Sequence, residues 1–525
     1  MRIALDPGGR DAPARVQRLC DDGTPAGAPE PLPHLRAVAD LEREHAPRWV
    51  LARPRTYRAL LDAGVRVGRA HDVELVEGIL VGADGRSGEP HGLAAAAARL
   101  AGRVPDPDPP LDDDGPPALF TTGPERDELA DVVAVHAAQL PRLTDPRLRL
   151  LAAAESAGGL VAEEMRAHGL PWRADVHDAL LTELLGPRPV LGGRPPKLAA
   201  LAAQVGSAFG REVNPDSPAE VLRAFARAGH ELTTTRAWEL RGVDHPAVAP
   251  LLAYKELARL HAAHGWAWLD TWVRDGRFHP EYVVGGVVSG RWATRGGGAL
   301  QIPRPVRAAV RADPGWALVV ADAAQLEPRV LAALSGDHAL APGEYDLYTA
   351  LAAREFGGDR GRAKLALLSA MYGASGGQAG ELVVRLRQRF PWAMAYVDGA
   401  ARAGEQGRLV RSHLGRTCPP ARPGDEEPAA ARARGRFTRN FVVQATAAEW
   451  ALVLLAELRL LLRDGPAELV FFQHDEVLLH APAALAPAVA EAVSAAADTA
   501  GRRLFGDTPV RFPLQARVVD GYDER

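Results

Sequence analysis

An α+β protein of several domains is what this chain of 525 residues predicts. Three observations carry that expectation. The first hundred or so residues alternate short apolar runs with helix-like stretches. A long middle section is helical in pattern and rich in Ala and Leu. Two strand-like apolar regions then appear far apart, Trp316–Ala321 and Glu468–Pro482, and each brings an aspartate to a strand end. The length exceeds what one core normally holds. A hydrophobic share of 47% with 24% charged residues is that of a globular protein.

Taken in order, residues 1 to about 102 pair runs such as Trp49-Val50-Leu51-Ala52 with the helical stretch Leu93–Ala101, as in a small α/β domain. Arg103–Pro117, rich in Pro and Asp, reads as a loop. From Leu150 the pattern is helical. Leu185–Lys197 interrupts it, and Asn214–His230 gives a turn followed by an amphipathic helix. Strands and turns begin near Arg277, and helices resume from Asp337 to about Gly407. Pro419–Gly435 has the composition of a loop, and a long helix is expected over Phe441–Leu462.

Several classes are disfavoured. The longest apolar stretch, Trp450–Leu462, is broken by Glu457 and Arg459 and is too short to span a bilayer. The first residues lack a secretory apolar segment, and Cys20 and Cys418 make neither a disulfide framework nor a metal spacing. A cytoplasmic protein with no membrane contact is expected. The net charge of −4 does not point to a polyanion partner. Local patches do, notably Arg291, Arg295, Arg304, Arg307 and Arg311, and later Arg432, Arg434, Arg436 and Arg439, although solvated arginines would look the same. Of 62 basic residues only Lys197, Lys255 and Lys364 are lysine.

The run Trp316–Ala321 ends on Asp322, and "ELVFFQHDEVLLHAP" reads as a β-hairpin with Asp475 near its tip and Glu476 next to it. If the strands adjoin, Asp322 and Asp475 share a site. Two neighbouring carboxylates repel unless a cation lies between them, and Mg²⁺ favours oxygen ligands together with phosphates. Otherwise both are solvated turn residues. A third element, "GGDRGRAKLALLSAMYG", has Asp359 as N-cap and Gly373 as stop. Steps of four put Arg360, Lys364, Leu368 and Tyr372 on one slowly turning face. That face suits a triphosphate and its base. The same pattern also suits a helix whose Leu368 and Tyr372 are core.

Together these residues resemble family A DNA polymerases. "DAAQLEPRVLAALSGD" is similar to the family's first catalytic motif, "QHDEV" to its second, and the helix above to its nucleotide-binding finger helix. "SGRWATRGGGALQIP" and "NFVVQATAAEW" resemble two further motifs in the expected order, and the likeness covers roughly Leu150 to the C-terminus. It implies a right hand, with thumb over 149–276, palm over 277–345 and 440–525, and fingers over 346–439. It implies a template-directed DNA polymerase that acts on primer–template DNA and deoxynucleoside triphosphates with two Mg²⁺, as a monomer, in replication or repair. Asp322 and Asp475 would bind the metals and carry the transfer, with Glu476 as an auxiliary carboxylate. Gln325, Glu327, Arg360, Lys364, Leu368 and Tyr372 would form the nucleotide site, with Glu327 under the sugar. Lys364 would also serve the chemistry. Arg291, Gln301, Gln444 and His474 would contact the DNA. The departures are Leu368 for an aromatic residue, Ser369 and Ala445 for glycines, Tyr348 for histidine, Ala323-Ala324 for Tyr-Ser, and a segment one residue short at Gln301-Ile302.

The front of the chain, over 1–140, resembles the 3′–5′ exonuclease domain that often precedes the thumb. "HDVELVEGILV" and "ELADVVAVHAAQL" are similar to two of its helices. Its catalytic acids are not matched. Asp6 has no Glu two residues on, and Leu129 stands where an Asp would be. An α/β RNase H-like domain without proofreading is expected. The alternatives are a noncatalytic primer–template binding protein and a bifunctional polymerase/3′–5′ exonuclease.

Overall fold

The computed structural model describes residues 1–9, 12–109, 127–190, 192–295, 301–341, 343, 346–373 and 378–524. Most of the acidic loop expected over 103–117, the glycine run at 296–298, and Ala374-Ser375 lie outside the described residues. The chain divides into two compact units. One is Met1–His168, Glu281–Arg295 and Gly315–Val518; the other is Gly169–Pro280, Gly296–Pro314 and Val519–Arg525.

The first unit begins with β1 (Arg2–Asp6), β2 (Arg15–Leu19), β3 (Glu30–Pro31), β4 (Arg48–Leu51) and β5 (Arg69–Asp72), in sheet order β3-β2-β1-β4-β5. β1, β4 and β5 run parallel and β2 is antiparallel to β1. Helices α1 (Val38–His45), α2 (Pro54–Asp62), α3 (Val73–Ala83), α4 (Leu93–Leu100) and α5 (Glu128–Gln139) accompany them. Ile3, Leu5, Trp49 and Leu51 are buried in one core cluster, and Ala4, Val50 and Leu129 in another. Alternate residues of these strands thus serve opposite faces, as a sheet covered on both sides requires. The α/β expectation holds here.

Helix α6 (Pro146–His168) belongs to this first unit, although the sequence places 149–168 at the start of the thumb. The reason is that it is buried on more than one side. Leu151, Leu160, Val161 and Met165 are all core, and it packs on β5, α2 and α3.

The second unit is mainly helical. It contains β6 (Leu170–Pro171), α7 (Ala174–Leu185), α8 (Pro196–Ala208), α9 (Pro218–Arg227), α10 (Ala237–Leu240), α11 (Val248–His264), α12 (Trp266–Trp272), β7 (Val273–Arg274) and β8 (Arg277–Phe278). Ser217 Oγ accepts the Glu220 N–H at 3.3 Å and caps α9 where the sequence puts the helix start. Gln301 lies in this unit and is exposed.

The rest of the first unit holds β9 (Tyr282–Val283), β10 (Ala293–Thr294), β11 (Trp316–Ala323), β12 (Glu468–Gln473), β13 (Glu476–Pro482) and β14 (Leu514–Val519). Their helices are α13 (Leu326–Ser335), α14 (Leu347–Glu355), α15 (Arg360–Tyr372), α16 (Gln378–Arg389), α17 (Pro391–Glu405), α18 (Pro428–Leu461) and α19 (Ala486–Phe505). One sheet has the order β12-β13-β11-β14. β11 is buried on both faces until Asp322, which explains its unbroken apolar run.

Helix α18 starts at Pro428, so half of the stretch expected to be a loop is helical. Pro428 suits a first helical position, and the buried Arg434 donates to the carbonyls of Pro419 and Pro420 at 2.9 and 3.3 Å. An Arg/Ala-rich sequence looked solvated because its anchor lies outside the helix. One window of α18 has mean hydropathy 1.5, and 83% of it is buried inside the protein, so its apolar surface is core. Near its end the buried Arg459 joins the front domain to the hand. Its guanidinium donates to Glu164 at 2.8–3.1 Å and to the Gly68 carbonyl at 2.8 Å.

Candidate functional site

β11 leaves the core at Asp322, whose cross-strand partner on β13 is Glu476. The Ala323 N–H donates to the Asp475 carbonyl at 3.0 Å. The two aspartates therefore stand at adjoining strand ends, as the shared-site reading requires. Gln473 pairs with Glu476, which leaves His474 and Asp475 as a two-residue turn. His474 has φ 56°, in a turn position that normally takes glycine. Gln325, three residues after Asp322, has φ 57°. Only Ala46 and Asp275 share this trait among the described non-glycine residues. Backbone strain of this kind persists where the surroundings fix a conformation, and such places cluster at functional sites.

The electrostatics are those of an unfinished site. Burial, and then the neighbouring Asp322, push the Asp475 carboxyl up to about 7. Asp322 is exposed and Glu476 is buried beside it. Among the described residues no arginine, lysine or histidine forms an ion pair with Asp322 or Asp475. Two carboxylates without an ion-pair partner among the described residues, at the end of a buried sheet strand, fit hard divalent cations that keep further oxygen ligands for substrate.

Glu327 lies in the first turn of α13. The helix starts at Leu326, where the left-handed Gln325 turns the chain, and Pro328 is its third residue. The Glu327 carboxylate pairs with the Arg291 guanidinium and accepts the Tyr372 hydroxyl at 2.8 Å. Arg291 acts electrostatically on both His474 and Asp475. Arg291, Glu327 and Tyr372 thus form one bonded network beside the aspartates, with His474 within its field.

Helix α15 is capped by Asp359, which accepts the Arg362 N–H at 3.0 Å, and stops at Gly373 with φ 75°. Ala363, Ala366, Leu367, Ala370 and Met371 are its buried side. Arg360, Lys364 and Tyr372 are exposed and Leu368 is half-buried, so this face is not core. Arg360 pairs with Asp346 at 2.8 Å, and its guanidinium carbon is 5.4 Å from the centre of the Tyr348 ring. The Gln325 side-chain oxygen accepts the Leu347 N–H at 2.8 Å, so it ties the start of α14 to the strand end at Asp322.

The profile of DNA polymerase family A matches residues 196–521. The chain belongs to DNA polymerase family A. DNA polymerase I of Chloroflexus aurantiacus is 29% identical over 307 residues, covering 52% of this chain and 32% of that protein. The thermostable DNA polymerase I of Thermus thermophilus is 28% identical over 328 residues, covering 57% of this chain and 38% of that protein. The chain thus spans 32% and 38% of the length of these two relatives where it matches them. The POL domain of Pol1 from M. smegmatis, solved with DNA primer-template and dNTP, is 20% identical with a TM-score of 0.75, covering 99% of this chain and 95% of that one. That likeness shows the right-hand polymerase fold.

Within the family frame, sequence reasoning gave no task to three residues that build this site. Arg329 is buried and donates to the carbonyls of Ala324 and Gly343 at 3.0 and 2.8 Å, which fixes the turn after Asp322. Asp346 anchors Arg360. Tyr348, visible in sequence only as a departure from histidine, lies beneath the cationic face of α15. A fixed spacing from Asp322 singles out Arg329, but partners such as Gly343 are set only by the fold.

Proposed function

We propose that this chain is a template-directed DNA polymerase that extends a primer 3′-hydroxyl with deoxynucleotides, in replication or repair. The observation that carries it is the convergence of Asp322 and Asp475 at adjoining strand ends, with no ion pair to either among the described residues. These two residues would hold two Mg²⁺, with Glu476 as the auxiliary acid. When bound, the pair of ions stabilises the attacking and leaving oxygens of an in-line phosphoryl transfer.

The chain's own residues do the rest. Arg360 and Lys364 bind the triphosphate. Leu368 gives the incoming base an aliphatic surface, Tyr372 lies near the templating base, and Gln325 holds α14 in place. Glu327, locked by Arg291 and Tyr372, stands under the sugar and excludes a ribose hydroxyl. Arg291, Gln301, Gln444 and His474 contact the primer–template. In this reading the thumb lies over 149–276, the palm over 277–345 and 440–525, and the fingers over 346–439. A monomer in the cytoplasm fits a DNA substrate and two unpaired cysteines. The front domain has no proofreading role in this reading.

A labelled primer annealed to a longer template tests it. With Mg²⁺ and dNTPs the primer lengthens; Asp322→Ala and Asp475→Ala each abolish extension, and Lys364→Ala chiefly raises the KM for dNTP. Extension that survives both aspartate changes would overturn the assignment. A primer that stays unchanged with the wild-type protein points to a noncatalytic DNA-binding role. One that shortens without dNTPs points to an exonuclease.

A further inference from the structure

Arg360 and Lys364 are like charges four apart on α15, a spacing that repels. Arg360 is relieved by Asp346, which receives its Nε at 2.9 Å and its Nη2 at 2.8 Å. Lys364 forms no ion pair among the described residues. Its Nζ instead lies 6.0 Å from the centre of the Tyr348 ring. Tyr348 is buried and firmly held, since its N–H donates to Asp346 at 2.9 Å in the capped first turn of α14. Burial, and then the charge of Glu327, push its hydroxyl up to about 12, so the ring stays neutral beside the cations.

An acid partner would orient Lys364 but cancel its charge. An aromatic face attracts a cation and leaves the charge available to an anion. We propose that Tyr348 is a positioning residue for the nucleotide phosphates, its ring fixing Lys364 and Arg360 over the phosphate subsite without neutralising Lys364. This rests on the polymerase reading above. It also explains how tyrosine is accommodated where the family resemblance expects histidine. The aromatic surface lies under the cations, and Asp346 supplies the one counter-charge.

The test is steady-state primer extension by Tyr348→Phe and Tyr348→Leu, each in wild-type and Lys364→Ala backgrounds, with thermal unfolding as the fold control. Tyr348→Phe keeps the ring and leaves the KM for dNTP within about twofold. Tyr348→Leu raises it by about 3- to 30-fold, the range of a cation–π contact, with kcat and the KM for primer–template little changed. In the Lys364→Ala background the Leu substitution loses most of that effect. If Tyr348→Leu does not fold, pentafluorophenylalanine at 348 replaces it. Fluorination removes the negative ring face at nearly constant shape, so it raises the KM as the Leu change would. An unchanged KM in either replacement, or an undiminished effect without Lys364, overturns the proposal. Titration of Mg²⁺-dATP into the protein without DNA separates this from the parent reading. If the wild type extends no primer, the polymerase reading falls, while weaker dATP binding on loss of the ring still supports Tyr348.

Discussion

Asp6 and Asp322 each end an apolar strand of the first unit, and each enters a group of acids. The two groups are completed in opposite ways. At the front, Arg15 bridges Asp6 and Asp127 at 2.9 and 2.7 Å, and Arg53 bridges Glu74 and Glu128 at 3.0 and 3.7 Å. Guanidinium groups stand where cations would otherwise be needed, and the acids serve to hold β1, β2, α3 and α5 together. In the hand, Arg291 is paired with Glu327, and neither aspartate has an ion pair among the described residues. A strand-end acid is therefore not itself a signature of chemistry. What distinguishes the two places is whether the chain supplies the opposite charge.

The largest test of that contrast is in activity. On the proposed two-ion reading, Asp322→Asn lowers primer extension by on the order of a thousandfold or more, since it would remove a ligand from a site that stabilises several kcal/mol of developing charge. Asp6→Asn leaves extension within about twofold of wild type on the same reasoning, because its partners are structural. A loss with Asp6→Asn comparable to that with Asp322→Asn would show that the front acids take part in the reaction.

Next in size is the junction between the two regions. Arg459 and Glu164 are both buried, and without Arg459 the Glu164 carboxylate keeps only Arg66 at 3.4 Å and the Tyr57 hydroxyl at 2.6 Å. Arg459→Met destabilises the protein by about 3 kcal/mol, the low end for breaking a buried pair, measured by chemical denaturation. The double change Arg459→Met with Glu164→Gln recovers much of that loss. If the single change costs nothing, the front domain is not held to the hand through this pair.

The contrast was only partly legible in sequence. The strands ending at Asp322 and Asp475 show as apolar runs, and α15 shows by its cap, its stop and its fourfold spacing, because these signals are local. Arg15 and Arg53 could not be matched to Asp127 and Glu128 because each pairing crosses the fold, and only the sheet order β2-β1-β4 brings them together. The same holds for Tyr348 under Lys364, and for Arg434, whose carbonyl partners explain why α18 begins earlier than composition suggests.

Opposite effects on stability should follow from one kind of substitution. Without Mg²⁺ at pH 8, Asp475→Asn raises the melting temperature, because it removes a buried charge that burial and Asp322 disfavour. Asp6→Asn lowers it, because Arg15 loses a partner. Each change is expected to be on the order of 1 kcal/mol, since the front acids are partly exposed. Removing both Arg15 and Arg53 with alanine should make the front acids resemble the pair in the hand, so that variant gains Mg²⁺-dependent stability that the Asp322→Asn/Asp475→Asn background retains. Shifts of the same sign for Asp475→Asn and Asp6→Asn would remove the distinction between a completed and an uncompleted site.

At neutral pH the smallest expected effect lies in the front domain's core, and it grows only as the pH falls. His71 and His136 meet edge to face in its core at 4.5 Å between ring centres, and His71 bonds the Gln139 side chain at 2.8 Å. Both ring nitrogens of His136 lack a hydrogen-bond partner among the described residues. Burial holds His71 down to about 4, and burial followed by His71 holds His136 down to about 2. An unfolded histidine titrates near about 6.5. Between that value and the folded ones, the unfolded chain binds more protons. The stabilisation is therefore full above about pH 6.5 and is lost as pH falls toward 4, at up to about 1.4 kcal/mol per pH unit for each histidine. His136→Leu keeps the volume without the proton. Its melting temperature should lie close to that of the wild type at pH 8 and progressively above it between pH 6.5 and 4. Among the described residues the hand has no equivalent histidine pair at its acids, so the difference belongs to the front domain's core. Parallel curves for wild type and variant across this range would mean that His136 is protonated in the folded protein, and that its core is less dry than its burial implies.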